Sequence, residues 1–404
     1  MADWQTLSDR INQRGVRATT LDRRFQGEGN EGRRNRRHRV RRGRTELPNP
    51  RTNRRGRGRG RAGPENYRYT PTAGLPELRQ AIADKTLRDS GYEIDPSQVI
   101  VTNGGKQAVY ESFQILLNEG DEVITPHPVL DQLSGSREAR RRRARDRVRR
   151  CRPQLRAQHR SHRSGPHRTH EGHHREHAEQ PDGRGVEAGN RQGHRAVGRS
   201  NTTSWVSFRE IYEHLNYDGA KTTYIGAAVP EVRSQLLVLN GVAKTYAMPG
   251  WRVGWMIAPV DVAKAASKLQ GHMTSNVNNI SQRAAIEAVS GSLDAVYEMR
   301  AAFDKRRQTI VAALNDIEGV NCPTPTGAFY AFADVTALLN KPIGTNKTTF
   351  ANTSELAAAL LDEGHVAAVP GEAFGAPGYL RFSYALADDD LVEGMRRMKR
   401  WVED

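Results

Sequence analysis

Positions 240 to 255 read Asn-Gly-Val-Ala-Lys-Thr-Tyr-Ala-Met-Pro-Gly-Trp-Arg-Val-Gly-Trp, and no other stretch narrows the possibilities for this chain as far. The apolar residues Leu236 to Leu239 before it, and Trp255-Met256-Ile257 at its end, each read as a short buried strand. Between them Pro249-Gly250 marks a turn, so Lys244 stands just past a strand end with Arg252 eight residues on. An amine held there can form an imine with an aldehyde, and a guanidinium beside it can fork onto phosphate oxygens. A lone lysine in a polar loop would read as a solvated surface group. A lysine and an arginine in fixed register at a strand end read as chemistry.

The surrounding text has the grammar of an α/β protein. Leu75, Leu78, Ile82 and Leu87 recur at helical spacing, with Pro76 suited to the first turn. Val99-Ile100-Val101 predicts a strand, Thr102 to Gly105 a turn, and Val109, Phe113, Leu116 and Leu117 a helix, before Glu122-Val123-Ile124 starts another strand. Strand, glycine turn, helix, strand implies a mostly parallel sheet flanked by helices. Gly104-Gly105-Lys106-Gln107 opens the helix, where backbone amides attract anions and glycine lets a phosphate come close. Helices are expected from Val262 to Leu269, Ile280 to Val289 and Leu293 to Leu314. After them, strands at Phe329 to Phe332, Val366 to Val369 and Leu380 to Tyr384 mix with helices at Leu356 to Leu361 and Asp390 to Trp401. That mixture reads as a second, smaller α+β domain.

The 404 residues suffice for two domains with a substantial core. The two cysteines, Cys151 and Cys322, make no disulfide framework and fit a reducing compartment. The start, Met-Ala-Asp-Trp-Gln, lacks the apolar segment of a secretion signal, and no apolar run approaches the ~20 residues of a membrane span. A cytoplasmic enzyme with no membrane association is expected. The net charge of +16 would suggest a nucleic-acid partner, but it is concentrated in two blocks, roughly residues 23 to 62 and 136 to 200. The second opens on Arg140-Arg141-Arg142-Arg143 and holds eight of the 13 histidines.

The run around Lys244 resembles the lysine segment of class I aminotransferases, the fold-type-I pyridoxal-phosphate enzymes. Other segments resemble the same family. Tyr67-Arg68-Tyr69-Thr70-Pro71 followed by Gly74-Leu75-Pro76 matches the segment whose tyrosine, here Tyr69, reaches the cofactor phosphate of the partner subunit. The alternative for Tyr69 is a core aromatic. Glu210-Ile211-Tyr212-Glu213 matches the strand-end segment whose tyrosine, Tyr212, hydrogen-bonds the cofactor's phenolic oxygen. Val369-Pro370-Gly371-Glu372-Ala373-Phe374-Gly375 with Gly378-Tyr379-Leu380-Arg381-Phe382-Ser383 matches the C-terminal signature, in which Arg381 clamps the substrate carboxylate. The resemblance further implies that Gly105, Lys106, Arg252 and Lys244 hold pyridoxal 5'-phosphate. It implies that Lys244 is the catalytic amine, that amino acid and 2-oxo acid are the substrates, and that the enzyme is a homodimer. The wording is closest to prokaryotic aspartate aminotransferases, whose Gly-Gly-Lys-Gln lysine, here Lys106, reads the substrate's distal carboxylate. No metal site is expected. One position departs from the family: where an aspartate would keep the pyridine nitrogen protonated, this chain has Arg209.

Three family elements are missing: a Gly-rich segment ending in Glu-Pro, an aromatic after Val123-Ile124, and an Asn-Pro-x-Gly motif before Tyr212. All three gaps fall inside the basic blocks. Residues Arg37 to Pro50, back-translated with GC-rich codons and read one base later, give Val-Ile-Gly-Phe-Gly-Ala-Gly-Glu-Pro-Asn-Phe-Pro-Thr-Pro. Pro128 to Ala139 treated likewise give Pro-Tyr-Trp-Thr-Ser-Tyr-Pro-Glu-Ala, and Glu176 to Gly193 contain Ser-Asn-Pro-Thr-Gly. The expectation is an aminotransferase in which compensated frameshifts have replaced two stretches. It has a large cofactor domain at 64–290 with aberrant text at 129–209, and a small domain made of the C-terminal part at 291–404 and an N-terminal segment at 1–63 that is largely aberrant. Such a chain should fold poorly, with its sheet interrupted, and be impaired. The competing reading is a catalytically dead aminotransferase fold with a basic nucleic-acid-binding surface. Against it, the blocks lack interleaved aromatics and zinc-ligand spacing, and they replace sequence rather than add length.

Overall fold

Alternation decides the architecture. In a strand, successive side chains face opposite sides, so an all-apolar strand must be covered on both. Val99-Ile100-Val101, Leu236 to Leu239 and Trp255-Met256-Ile257 are such strands, and all are buried. The computed structural model describes residues 66, 68–117 and 205–404, with the backbone of two further strands, Val123–Ile124 and His174–Ala178, all within the compact unit Arg39–Asp404. The stretch 1–63 and the rest of 129–209 before residue 205, the text expected to be out of frame, lie outside the described residues, as does Tyr67.

In chain order the elements are α1 (Pro76–Ser90), β1 (Val99–Thr102), α2 (Gly105–Leu116), β2 (Val123–Ile124), β3 (His174–Ala178), β4 (Val206–Arg209), β5 (Leu236–Gly241) and β6 (Gly254–Ile257). They continue with α3 (Val260–Met273), α4 (Asn279–Ser290), α5 (Asp294–Asn315), β7 (Tyr330–Asp334), β8 (Pro342–Ile343), β9 (Thr348–Thr349), α6 (Thr353–Asp362), β10 (Val369–Pro370), β11 (Tyr379–Ser383) and α7 (Asp388–Glu403). Six strands form one sheet in the order β1-β6-β5-β4-β3-β2. β2 to β5 run parallel, and β6 lies antiparallel between β5 and β1. Val99, Val101, Leu236, Val238, Trp255 and Ile257 pack on one face with Leu78 and Ile82 of α1 and Ala284 and Val289 of α4. Ile100, Leu237, Leu239 and Met256 pack on the other with Val109 and Phe113 of α2 and Val262 and Ala266 of α3. The result is the helix–sheet–helix sandwich expected of an α/β chain.

A second, antiparallel sheet has the order β10-β11-β7. Leu380 and Phe382 of β11 share a core with Phe303 of α5, Leu356 of α6 and Met395 of α7. Arg381, between them in sequence, pairs with Phe332 of β7 and Val369 of β10. Among the described residues no helix is long and apolar enough to cross a membrane.

Three expectations need correction. Leu87 does not join the core stripe of α1 but is 50% exposed. The strand expected at Val366 to Val369 is reduced to Val369–Pro370, because the Val366 N–H bonds back to the Leu360 carbonyl and His365 takes a positive φ of 55°. The sheet is not broken at the second basic block either: β3 pairs with β2 and β4 in parallel register, Arg175 opposite Val206 and His177 opposite Phe208. Ladder bonds use main-chain N–H and C=O groups that every non-proline residue supplies, so basic text can occupy a sheet position.

The sheet is tightest at the start of β6. A Cβ at Gly254 would stand 2.4 Å from the Gly105 nitrogen and 2.6 Å from the Gly104 carbonyl carbon. Neither backbone atom can swing away. Gly254→Ala should therefore cost about 1–3 kcal/mol of stability through overpacking. An unchanged urea midpoint for this variant would show that the helix start is not pressed against β6 in solution.

Candidate active site

Three chain segments meet at the end of β5. The first is the loop from Thr102 into α2. Gly104 has φ 83°, and a Cβ there would lie 2.3 Å from an Arg252 guanidinium nitrogen, so the arginine rests directly on the glycine backbone. That guanidinium also donates to the carbonyls of Asn103 at 3.3 Å and Pro249 at 3.0 Å. Gly105 opens the helix 3.7 Å, measured from its Cβ position, from the Asn240 carbonyl and 3.8 Å from Ile211. Free helical N–H groups and a fixed guanidinium in one place make an anion cradle.

The second is the loop from Val242 to Val253, closed by the Val242 N–H on the Val253 carbonyl at 3.2 Å and the Met248 N–H on the Val242 carbonyl at 3.1 Å. Ala247 and Arg252 both sit in the left-handed region, at φ 51° and 55°. Non-glycine residues are held there only by over-determined surroundings, which is common at functional sites. Lys244 is carried inward by this loop. Its Nζ lies 4.9 Å from the Phe329 ring centroid and 5.8 Å from that of Tyr212, and it hydrogen-bonds the Tyr330 hydroxyl. Burial lowers its pKa, and the Arg209 and Arg381 cations lower it further, against the opposing pull of Tyr330. The amine is thus shifted toward its neutral, nucleophilic form.

The third segment follows β4 and carries Tyr212. It is pinned on both sides by buried charge. Lys85 of α1 is 3% exposed and bridges Glu213 at 2.7 Å and Asp89 at 3.0 Å. Glu213 also accepts from the Asn240 amide at 2.9 Å, and His214 meets Asp89 at 3.1 Å. Burial would strip the proton from Lys85, but Glu213, Tyr246 and Asp89 outweigh it and hold the amine charged. The ligand atoms of Asp89, Glu213 and His214 cluster within 4.8 Å, as a metal site would, yet the Lys85 ammonium already supplies the cation there. On the far side Arg307 forks onto Asp218 at 2.5 and 2.7 Å and donates to the Pro325 carbonyl at 2.8 Å.

This geometry has known counterparts. A family profile described as aminotransferase class I and II matches residues 50–150 and 199–397. The chain belongs to that family. The aspartate aminotransferase of Streptomyces avermitilis is 47% identical over 362 residues, spanning 85% of this aminotransferase and 83% of its own chain. That of Bacillus subtilis is 35% identical over 342 residues, 83% and 84% of the two chains. Among solved structures, the aspartate aminotransferase of Rhizobium meliloti superposes with a TM-score of 0.78 at 27% identity, covering 90% of both chains. This aminotransferase is a transaminase, and the cofactor of its family is pyridoxal phosphate. The unmatched interval 151–198 falls inside the second basic block.

The described residues fit that cofactor at two of its three ends. The Gly104-Gly105 cradle with Arg252 suits the phosphate, and the pKa-lowered Lys244 amine suits the aldehyde. The pyridine end lacks an acid at the expected position: Arg209 ends β4 there, and its charge acts against Lys244. Tyr212 and Lys244 converge, and Arg381 reaches the same cluster through Tyr330, its guanidinium carbon 4.4 Å from that ring and 4.4 Å from the ring of Phe374. Lys106 is exposed on the first turn of α2. Tyr69, at 91% exposure, is no core aromatic. Tyr330, Phe329 and the Lys85 cluster escape sequence reasoning. Phe329 precedes β7 in a turn, so its ring lies beside that of Tyr330, centroids 4.8 Å apart, and both face Lys244; the consecutive aromatics are the signal that could have revealed them.

Behind the cradle, Gln107 accepts from the Asn103 N–H at 2.9 Å and donates to Glu111 at 2.7 Å. The other Glu111 oxygen is buried without a partner, and burial pushes this carboxyl up to about 7 from its ordinary 4.5. Across that interval the unfolded chain releases its proton before the folded one, so this group's contribution to stability falls as pH rises. Glu111→Gln should flatten the decline in unfolding free energy between about pH 4.5 and about pH 7. Parallel curves for variant and parent would refute the assignment.

Proposed function

We propose that this aminotransferase moves an amino group between a dicarboxylic amino acid, aspartate or glutamate, and a 2-oxo acid, by a ping-pong cycle and as a homodimer. The observation that carries the reading is the convergence of Lys244, Tyr212 and Arg381 beside the Gly104-Gly105 cradle. Bound pyridoxal phosphate supplies an electron sink for the substrate α-carbon. The chain supplies the rest. Lys244, poised toward neutrality, takes the α-proton and returns it. Arg381 fixes the α-carboxylate, held by the Tyr330 and Phe374 rings. Gly105, Lys106 and Arg252 serve the phosphate, Tyr212 the phenolic oxygen, and exposed Tyr69 the partner subunit's cofactor.

Lys106 is the cation nominated for the distal carboxylate, and the aspartate aminotransferase names of the relatives support a dicarboxylic substrate that needs such a cation. Lys106→Ala should raise the KM for aspartate roughly 10- to 100-fold while leaving that for alanine nearly unchanged. Equal changes for both substrates would remove Lys106 from the role.

The domains proposed are 64–290 and 291–404, and the basic text at 1–63 and 129–209 is taken as out-of-frame. Arg209 is the last residue of that text, so the missing pyridine-nitrogen aspartate belongs to the same lesion. Expressing the chain as written beside a frame-restored version tests this. After cofactor loading and borohydride reduction, peptide mapping should place the pyridoxyl group on Lys244 in the restored protein. The written chain should turn over about 10²- to 10³-fold more slowly or worse. Equal turnover would make the basic blocks functional sequence, and a label on another lysine would overturn the site.

A further inference from the structure

Tyr330 enters the reading above only as a support for Arg381, yet it touches two further residues with roles there, Lys244 and Tyr212. It opens β7 and is 7% exposed. Its hydroxyl accepts from the Tyr212 hydroxyl at 3.3 Å and is hydrogen-bonded to the Lys244 amine. The face of its ring carries the Arg381 guanidinium, whose carbon is 4.4 Å from the centroid. The segments that follow β4 and β5 and strand β11 of the small sheet thus meet on a single phenol. We propose that Tyr330 is a positioning residue for transamination: its hydroxyl aligns the Lys244 amine with Tyr212, while its ring seats Arg381 for the substrate carboxylate.

The chemistry divides cleanly between the two halves of the side chain. A phenol oxygen can accept from an ammonium or donate to an amine, so it steadies Lys244 in either protonation state. The ring face, electron-rich and largely dry, holds a guanidinium by cation–π attraction without consuming its N–H donors, which stay available for a carboxylate fork. The charged and titratable groups facing Lys244 are Arg209 at the end of β4, Tyr212 after it, Tyr330 on β7 and Arg381 on β11. Arg209 and Arg381 disfavour the ammonium, while Tyr330 favours it.

The proposal rests on Lys244 being the reactive amine, and the test separates the two ideas. In the full chain without cofactor, the pH dependence of Lys244 reductive methylation is followed by peptide mass spectrometry for the parent, Tyr330→Phe and Tyr330→Leu. Binding of succinate, a dicarboxylate probe, is measured by calorimetry on the same proteins. Tyr330→Phe keeps the ring and loses the hydroxyl. Its Lys244 midpoint should fall by about one pH unit, with succinate affinity within about twofold of the parent. Tyr330→Leu loses both and should also weaken succinate about tenfold. A Lys244 midpoint unmoved in Tyr330→Phe overturns the proposal, as does unchanged succinate affinity in a folded Tyr330→Leu. If the leucine variant fails to fold, the phenylalanine variant decides alone. Pyridoxyl labelling of a lysine other than Lys244 in the parent sinks the reading beneath the proposal, whereas labelling of Lys244 with an unmoved midpoint sinks only the role of Tyr330.

Discussion

The site depends on how closely three backbones approach where β5 ends and β6 begins. Gly241 lies against the Val253 carbonyl, with a Cβ position 2.9 Å away, and Gly254 lies against the first amides of α2. Without side chains at these points, the helix start, the lysine loop and the Tyr212 segment share one small volume. A larger residue at either place would move the helix off the sheet and carry the anion cradle away from Lys244. The pairing of β6 with both β1 and β5 brings that volume into being, because it sets the Gly104-Gly105 turn and the Lys244 loop side by side.

Two lysines illustrate how the partners of a buried amine decide its state. Lys85 and Lys244 both lose solvation, which favours the neutral form of each. Lys85 faces two carboxylates and keeps its charge, acting as a fixed cation that braces the segment behind Tyr212. Lys244 faces two guanidinium groups and aromatic rings and is pushed toward the free base. The first arrangement immobilises; the second makes a nucleophile. Removing a partner from the first would leave an uncompensated buried charge, which typically costs about 3–5 kcal/mol.

Much of this could be read from the sequence because it is local. The fold class followed from apolar strands alternating with helices, and the Lys244 loop, its Arg252 and the Gly104-Gly105 turn each lie in one continuous run. Arg381 was recognisable for the same reason. What escaped was assembled from distant positions. Lys85 sits among polar residues of α1 and looks like surface charge until Glu213 and Asn240 arrive from elsewhere in the chain. Tyr330 reads as one more apolar strand residue until β11 lays Arg381 on its ring. Leu87 differs in the opposite sense: it stands five residues after Ile82, and Thr86, four after it, takes the buried place while Leu87 is half exposed. β3 failed because side-chain character cannot forbid a main-chain ladder.

The antiparallel join between β5 and β6 spans a short loop, whereas β1 reaches β6 across more than a third of the chain, Val99 opposite Ile257. Loop-closure entropy makes the first contact quick and the second slow. The loop that presents the lysine can therefore take shape early, from neighbours in sequence, while the phosphate cradle docks onto it only after the long-range strand pairing is complete. For the proposed site this ties cofactor capture to the last stage of assembly: an intermediate that already displays the Lys244 amine would still lack the cradle proposed for the phosphate.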